Sequence, residues 1–260
     1  MTLPQPNDGF EWTQAPWGAV VRCRPLRDVA DHFFTTRNLS LHLDDPAWAS
    51  VAHELGVETA RLLLVRQVHR AEVAVARAGR ESTWLRPEAD VIVSDDPASA
   101  IGVRVADCAP ILLADCRRCA VGAAHAGWRG TVRRAATAAV RAMQNTFGSA
   151  PADLVAAIGP CLGRCCGEVG PEVVQAFREA GHGEDALRRW FETGPSGRPH
   201  LDLARANREQ LEEAGVGAAQ IYVAGLCTKS YAEVLHSYRT DKENAGRMVA
   251  VIRSQKHPEP

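Results

Sequence analysis

Two residues with metal-binding or nucleophilic chemistry, Cys108 and His125, flank a predicted β-hairpin. Apolar runs at 109–115 and 120–124 enclose the polar tetrapeptide 116–119, which is typical of a turn. In the register that this turn sets, His125 faces Pro110, two residues beyond Cys108. Because strand side chains alternate between faces, Cys108 and His125 share one face at roughly 7–8 Å. They could share a metal ion or act as a nucleophile and its base.

His69 is the candidate third member of this group. It follows a predicted strand at 62–68, in a polar bend where a side chain can point over the edge of a sheet. One sulfur and two imidazoles suit zinc, and three protein ligands leave one position open for a reactant. Blue-copper sites use the same donor set, but the chain lacks the additional clustered histidines of a multi-copper relay. We therefore expect zinc, with copper as the alternative.

The segment that follows His125 predicts an anion site. Residues 125–130 are followed by a helical pattern that we expect to be capped by Thr131 and to end at Gly148. Free backbone N–H groups and the positive end of the helix dipole would then lie beside the metal. Arg129 could add a bidentate clamp for phosphate or carboxylate. The alternative is an ordinary glycine-rich turn between a strand and a helix.

The elements that must position these residues predict one α+β domain over residues 1–260, with mixed sheets and helices outside. We expect 254–260 to be a flexible tail. The spacing of apolar residues predicts strands at 62–68, 72–75, 90–94, 101–105, 109–115, 120–124, 153–158, 220–224 and 248–252, and helices at 131–148, 171–181 and 202–214.

Composition excludes several functional classes. The 260 residues contain 30 basic and 31 acidic side chains, a net charge of −1, which argues against a nucleic-acid or membrane partner. No apolar run approaches the ~18 residues of a membrane helix, and the N-terminus lacks an export signal, so we expect a cytoplasmic protein. We expect a monomer or a weak homodimer.

The eight cysteines are expected to be reduced thiols. Cys116 and Cys119 lie at the predicted hairpin tip, too far from Cys108 to join its site. Cys161, Cys165 and Cys166 could suggest a zinc ribbon, but this group lacks a partner Cys-x-x-Cys. We therefore expect buried or idle thiols at the adjacent pair Cys165-Cys166, with a second, structural metal as the less favoured alternative. We expect a structural role for Cys227.

Several sequence blocks together resemble one family, the laccase-domain, polyphenol-oxidase-like (YfiH-type) proteins. The resemblance covers about residues 33–252. The Ala-Asp-Cys and His-Ala-Gly-Trp-Arg-Gly blocks are its most specific parts. The blocks that carry it are Gln67-Val-His69, Ala89-Asp-Val91, Ala106-Asp-Cys-Ala-Pro110, His125-Ala-Gly-Trp-Arg-Gly130, Ile158-Gly-Pro160, Glu168-Val-Gly170, Ser237-Tyr-Arg239 and Gly246-Arg247.

This resemblance implies a fold and an activity. The fold would be a single α/β/β/α sandwich, and the metal ligands would be His69, Cys108 and His125. The activity would be zinc-dependent phosphorolysis of adenosine, inosine and methylthioadenosine, with adenosine deamination alongside. The partners would be a purine nucleoside and phosphate, and we expect Arg129, Arg37 or Arg239 to bind the phosphate.

The chain departs from the family pattern at three places. The loop after Thr36-Arg37 is shortened, Gly167 stands where a Tyr is usual, and Thr240 stands where a second Arg is expected. Each departure bears on which nucleoside fits the pocket.

Three other functions remain open at this point. The older family naming implies copper-dependent polyphenol oxidation. A metal-free hydrolase or amidase would use Cys108 as nucleophile and His125 as base. A non-catalytic protein would merely store the ion. We also expect Asp107 to support the metal ligands rather than to act as the base.

Overall fold

The computed structural model of the chain describes residues 2–79 and 84–255. Its strands are β1 (Phe10–Ala15), β2 (Gly18–Cys23), β3 (Ala30–Phe34), β4 (Leu62–Leu64), β5 (Val73–Ala76), β6 (Val91–Ser94), β7 (Ala100–Val105), β8 (Ala109–Asp115), β9 (Val121–Ala126), β10 (Leu154–Ile158), β11 (Phe191–Thr193), β12 (Pro199–Leu201), β13 (Ile221–Val223) and β14 (Met248–Ser254).

The α-helices lie between and after these strands. They are α1 (Arg24–Arg27), α2 (Trp48–Glu54), α3 (Trp128–Val132), α4 (Ala135–Phe147), α5 (Pro171–Glu179), α6 (Glu184–Trp190), α7 (Leu203–Glu213) and α8 (Tyr238–Asp241). Short 3-10 helices cover Thr59–Arg61, Pro151–Asp153, Arg164–Cys166, Ala218–Gln220 and Lys242–Asn244.

Two six-stranded mixed sheets form the body of the fold. The first sheet has the order β1-β2-β3-β14-β7-β4, and the second has the order β13-β10-β8-β9-β6-β5. Most neighbouring strands are antiparallel, but β4–β7, β5–β6 and β10–β13 are parallel. The predicted α+β class with mixed sheets is confirmed. Strands β1 and β2 extend the first sheet ahead of residues 33–252, the range that the family resemblance covers.

The alternation of side chains builds three layers of core. Ile101 of the first sheet and Leu112 of the second belong to the layer between the sheets. The opposite face of the second sheet, represented by Ile111, packs on helices α4 to α7. The opposite face of the first sheet packs on α2, including Val51. This arrangement is the α/β/β/α sandwich that the family resemblance implies.

The β8–β9 hairpin has the predicted register. Pro110 pairs with His125, and Ala109 pairs with Ala126. His125 therefore shares the face of the hairpin that points between the two sheets, because the residues two and four positions before it lie in that layer. The register places His125 at one end of the core between the sheets, near the chain segment that carries Cys108.

The strand predicted at 62–68 is shorter than expected. It ends at Leu64, because the backbone N–H groups of residues 68, 69 and 70 are bonded to the carboxylate of Asp90 and not to a neighbouring strand. Backbone N–H groups that are bonded to a side-chain carboxylate are not available to pair with a neighbouring strand. The bend at His69 is a consequence of this carboxylate.

The helix predicted from Thr131 to Gly148 is two helices. Arg134 has a left-handed backbone, with φ of 60°, and separates α3 from α4. Thr131 is therefore no cap: it lies inside α3 and donates its hydroxyl hydrogen to the carbonyl of Gly127. Gly148 ends α4 in the left-handed conformation, as predicted. Since α3 spans only five residues, its dipole is small, and the anion site expected at its start stays a prediction.

The last strand includes the first residue of the expected C-terminal tail. Ser254, where the expected tail begins, belongs to the last strand, and residues 256–260 of that tail lie outside the described residues. Within 2–79 and 84–255, every helix is too short or too polar to cross a bilayer.

Candidate metal centre and its cavity

The structure brings His69, Cys108 and His125 together. One potential ligand atom from each residue lies within 4.8 Å of those of the other two. His125 is buried, Cys108 is half-buried and His69 is exposed. The three side chains therefore span the distance from the core between the sheets to solvent. Because His69 is exposed, one side of the three-residue group is open to a reactant.

Asp90 orients His125. The Nδ1 atom of His125 lies 2.8 Å from Oδ1 of Asp90, and both side chains are buried. A carboxylate on Nδ1 fixes the imidazole tautomer and leaves Nε2 to bind a ligand. Asp90 lies immediately before β6, next to the β9 strand that carries His125. The sequence blocks included this residue, but we predicted no role for it.

The same carboxylate positions His69. It accepts the backbone N–H groups of Val68, His69 and Arg70 at 3.2, 3.0 and 2.6 Å. His69 itself has a φ of 58°, an unusual left-handed backbone for a residue with a Cβ. Its ring meets that of His125 edge to face, with the ring centroids 4.8 Å apart. Asp90 thus sets the geometry of both imidazoles.

Cys108 lies one residue before β8, in a bend that Asp107 makes possible. Asp107 has a φ of 83°. Its carboxylate accepts hydrogen bonds from the hydroxyls of Thr228 and Ser237, at 2.6 and 2.7 Å, and from the backbone N–H of Arg239 at 2.5 Å. These bonds hold the bend but reach none of the three ligands. The expectation that Asp107 supports the ligands directly is wrong; Asp90 has that role.

The two innermost ligands perturb each other's titration. Burial opposes the thiolate of Cys108, but the charge of His125 and hydrogen bonds from both imidazoles outweigh it and lower the pKa of the thiol. Burial also opposes the imidazolium of His125, yet the thiolate of Cys108 and the carboxylate of Asp90 raise the pKa of the imidazole. Cys108 is therefore set to present a thiolate, the form that binds metals and attacks carbonyls.

Gly127 allows the sulfur to lie where it does. A Cβ atom on Gly127 would lie 2.7 Å from Sγ of Cys108 and 3.7 Å from the His69 ring. The φ of Gly127 is −72°, so its backbone would accept another residue. The steric demand comes from the sulfur alone.

We expect Gly127→Ala to weaken metal binding by roughly 10-fold to 100-fold, because the methyl group must displace the Cys108 sulfur from its position between the imidazoles. Competition with a zinc chelator of known affinity measures the change. Gly183→Ala is the matched control, since nothing lies within 4 Å of its added methyl group. Equal zinc affinity in both variants would show that the sulfur position does not matter.

A cavity of about 580 Å³ opens beside the three candidate ligands. Among residues 2–79 and 84–255, its wall has five cationic side chains and a single carboxylate, that of Asp107. The volume is in the range of small-molecule sites, and the cations predict an anionic group in the occupant. The residues that line it are Gln67, His69, Arg104, Ala106, Asp107, Cys108, His125, Gly127, Trp128, Arg129, Leu162, Gly167, Val169, Leu201, Leu203, Tyr238, Arg239, Lys242 and Arg247.

The three arginines expected at the phosphate do not share one position. Arg129 and Arg239 line the cavity. The guanidinium of Arg129 lies over the Trp128 ring, 4.2 Å from its centroid, and that of Arg239 donates to the carbonyl of Glu168 at 2.8 Å. Arg37 is not among the lining residues: its guanidinium donates to the carbonyl of Ala232 and lies 3.3 Å from Asp241.

Three further cations of the wall were missed in the sequence. Arg104 lies on β7, and Lys242 and Arg247 follow α8. Burial lowers the pKa of Arg104, and the charge of Arg247 lowers it further, so Arg104 and Arg247 are close enough to repel each other. Gln67 fixes this corner, because its amide bonds the backbone N–H and carbonyl of Arg104 at 2.9 and 2.8 Å. In the sequence, the only sign of Arg104 as a candidate site residue is that it alternates with apolar residues along β7.

One departure from the family pattern lies in the cavity wall. Gly167 lines the cavity, and a Cβ at this position would lie 2.4 Å from the carbonyl oxygen of Leu201. The backbone of Leu201 also donates to the Gly167 carbonyl at 2.9 Å. A larger residue at 167 would have to part these two segments, so this chain forms the wall there from backbone and not from an aromatic ring.

The donor set fits a metal ion. One thiolate-prone sulfur and two imidazoles are the ligands that zinc and copper accept. The carboxylate on Nδ1 of His125 is the support that metal-bound imidazoles commonly have. The exposed side of His69 gives an entry path. The arrangement can therefore hold a catalytic metal with one open position facing the cationic cavity.

Comparison with known proteins agrees with this chemistry. Residues 25–255 match the family model described as multi-copper polyphenol oxidoreductase laccase. A purine nucleoside phosphorylase of Deinococcus radiodurans is 40% identical over 241 residues, which cover 85% of this chain and 88% of the relative. An adenosine deaminase called RL5, from an unknown prokaryotic organism, is 37% identical over 205 residues, or 76% of this chain and 77% of the relative. The crystal structure of Bacillus licheniformis YfiH superimposes with a TM-score of 0.83 at 28% identity, covering 96% of this chain and all of that one.

Proposed function

The chain belongs to the laccase-like, YfiH-type family, and from that premise we propose that it is a zinc-dependent purine nucleoside phosphorylase. The observation that carries the proposal is the single cavity wall shared by the His69–Cys108–His125 group and five cationic side chains. A metal-ligand set and an anion-binding surface in one cavity suit a reaction between phosphate and a neutral nucleoside. The names of the relatives supply the substrate class.

The reaction is a displacement at the sugar. A phosphate oxygen bonds to C1′ of the ribose while the bond from C1′ to the purine nitrogen breaks, and the base leaves with the electron pair and takes up a proton. Positive charge builds on the ribose and negative charge on the departing purine. An enzyme must therefore align phosphate and stabilise both ends of the breaking bond.

Phosphate is held by the arginines of the wall in this proposal. Arg129 is pre-positioned by its stacking on Trp128, and Arg239 by its bonds to Glu168 and, through its backbone, Asp107. Arginine binds phosphate oxygens in pairs, and a side chain that is already fixed loses little entropy when it does so. These residues orient the nucleophile and lower the cost of its charge in the cavity.

His69, Cys108 and His125, which line the same cavity, would hold the metal. When bound, zinc would supply a Lewis acid and a positive charge beside the reacting atoms. Asp90 keeps the His125 imidazole in the required tautomer. Tyr238, which lines the cavity and is partly exposed, offers an aromatic face for the purine. Adenosine, inosine and methylthioadenosine are the proposed substrates, with adenosine deamination as a side activity.

A second candidate is a metal-free hydrolase. Asp90, His125 and Cys108 form a carboxylate–imidazole–thiol series, the arrangement that activates a cysteine nucleophile. Such an enzyme would need neither His69 nor phosphate. The cationic wall and the third ligand favour the phosphorylase, and chelation separates the two functions because it would leave a hydrolase active.

The direct test is to incubate the zinc-loaded protein with inosine and phosphate. We expect hypoxanthine and ribose 1-phosphate only when phosphate is present. We expect Arg129→Gln to raise the KM for phosphate roughly tenfold or more, since one charge-assisted contact contributes about 1.5–3 kcal/mol. The KM for inosine should change much less.

Arg141→Gln is the matched control for the arginine variant, because Arg141 is an exposed arginine of α4 and does not line the cavity. Its KM for phosphate should equal that of the unaltered protein. Release of free ribose without a requirement for phosphate would overturn the phosphorylase proposal. An unchanged phosphate KM in Arg129→Gln would remove Arg129 from the phosphate site.

A further inference from the structure

Three cysteines outside the candidate active site form a second cluster. The sulfur atoms of Cys165, Cys166 and Cys227 all lie within 4.8 Å of one another, and those of Cys165 and Cys166 are 3.6 Å apart. The sequence predicted idle thiols and a structural cysteine at these positions, because no second Cys-x-x-Cys is present. The fold supplies the missing partner from a segment 61 residues away along the chain.

We propose that Cys165, Cys166 and Cys227 form a second metal site, which binds Zn²⁺ through three thiolates. This proposal does not depend on the phosphorylase function. A tetrahedral zinc site with Zn–S bonds of about 2.3 Å places two sulfurs about 3.8 Å apart, close to the separation of Cys165 and Cys166. Each thiol releases its proton to solvent as its bond to the ion forms.

Ser230 occupies the direction of a fourth ligand. Its hydroxyl oxygen lies 3.4 Å from the Cys165 sulfur and 3.5 Å from the Cys166 sulfur. With Zn–O near 2.0 Å and Zn–S near 2.3 Å, a tetrahedral site puts oxygen and sulfur about 3.5 Å apart. The hydroxyl, or a water beside it, can therefore complete the coordination shell.

The surroundings place a backbone donor on the buried sulfur and leave the cluster open to an ion from solvent. The backbone N–H of Gly163 donates to the Cys227 sulfur at 3.3 Å, and such bonds stabilise sulfur that carries charge. Cys227 is buried, Cys166 is half-buried and Cys165 is exposed. The cluster thus has a buried anchor and an open side, as a site that loads from solvent requires.

A bound ion would join one segment of the cavity wall to a second segment that is hydrogen-bonded to the wall. Cys165 and Cys166 lie in the 3-10 helix between Leu162 and Gly167, which both line the cavity. Cys227 precedes Thr228, whose hydroxyl donates to Asp107. Zinc here would tie these segments together, so its chemical role would be structural. It would stabilise the folded chain through its binding free energy.

Cobalt substitution tests the site without measuring activity. The Cys108→Ala background removes the only thiolate of the first centre, so a Co²⁺–thiolate charge-transfer band in that variant must come from another cysteine group. With the thiols reduced, we expect the band to saturate when about one Co²⁺ ion is bound to the second site of each chain. We expect Cys165→Ser/Cys166→Ser on the same background to abolish it.

The matched control replaces the two cysteines between β8 and β9, with Cys116→Ser/Cys119→Ser on the Cys108→Ala background, and should retain the band. Absence of a band in Cys108→Ala, or its persistence after Cys165→Ser/Cys166→Ser, would overturn the proposal. Zinc content provides a measurement that needs no Cys108 variant. It should fall from two ions per chain to one in Cys165→Ser/Cys166→Ser, and an unchanged zinc content would contradict the site.

Discussion

The Cys108→Ala variant is expected to lose roughly 10³-fold in kcat/KM for phosphate-dependent cleavage of inosine. The sulfur lies between two imidazoles, within 4.8 Å of the ligand atom of each, and is the one donor of the group that carries charge in its binding form. A Lewis acid at the reacting centre contributes several kcal/mol to catalysis, and about 1.4 kcal/mol corresponds to a factor of ten. Steady-state kinetics and zinc content, measured on the same preparations, check the prediction.

Cys119→Ala is the control for this variant. Cys119 is another partly exposed cysteine, at the far end of the same hairpin, and it touches none of the candidate ligands. It should keep full activity. Because a metal-free hydrolase would also lose activity in Cys108→Ala, the unaltered protein is tested after chelation as well. Full activity in the chelated protein would contradict the metal hypothesis, and recovery on zinc addition would support it.

The hairpin that carries two of the three candidate ligands could be predicted from the sequence. Its turn, its register and the shared face of Cys108 and His125 follow from two apolar runs and one polar tetrapeptide. These are local interactions, in which strand periodicity and turn length leave little freedom. Cys108 itself lies in a bend before β8, where Asp107 adopts a positive φ. Strand geometry does not apply there.

The position of His69 and the role of Asp90 could not be predicted in this way. His69 belongs to a segment that follows the end of β4, and its backbone N–H donates to the carboxylate of Asp90, about twenty residues further along the chain. Its left-handed backbone has no signature in the sequence, since histidine rarely adopts it. Periodicity assigned Asp90 to a strand and gave no reason for it to accept hydrogen bonds from both histidine segments.

The cationic wall shows the same limit. Arg129 follows His125 closely in sequence and was predicted beside the metal. Arg104 lies near the end of β7 and Arg247 lies just before β14, so these two residues come together only in the folded chain. Arg37 illustrates the reverse case. It was also predicted to bind phosphate, but its guanidinium donates to the Ala232 carbonyl and lies 3.3 Å from the Asp241 carboxylate. Charge type is visible in a sequence, while the partner of each charge depends on tertiary contacts.

We expect Asp90→Asn to weaken zinc binding by roughly 10-fold to 100-fold and also to destabilise the fold. The carboxylate accepts four hydrogen bonds: Oδ1 takes those of His125 and the His69 backbone, and Oδ2 takes those of the Val68 and Arg70 backbones. An amide has one acceptor oxygen, so its NH₂ group must face N–H donors in a fully buried position. Each buried donor left without an acceptor costs about 1–3 kcal/mol, and loss of the carboxylate from a ligating imidazole lowers metal affinity by the stated factor.

Asp115→Asn separates the two effects, because Asp115 is an equally buried carboxylate at the opposite end of β8. Its Oδ1 accepts the backbone N–H groups of Arg117 and Arg118, and an asparagine oxygen can keep both bonds. Asp115→Asn should therefore retain zinc affinity. Excess zinc should restore activity to Asp90→Asn in part, since it compensates for weak binding but not for a misplaced His69. If Asp90→Asn unfolds at the same denaturant concentration as the unaltered protein and binds zinc equally well, then Asp90 does not control the two imidazoles.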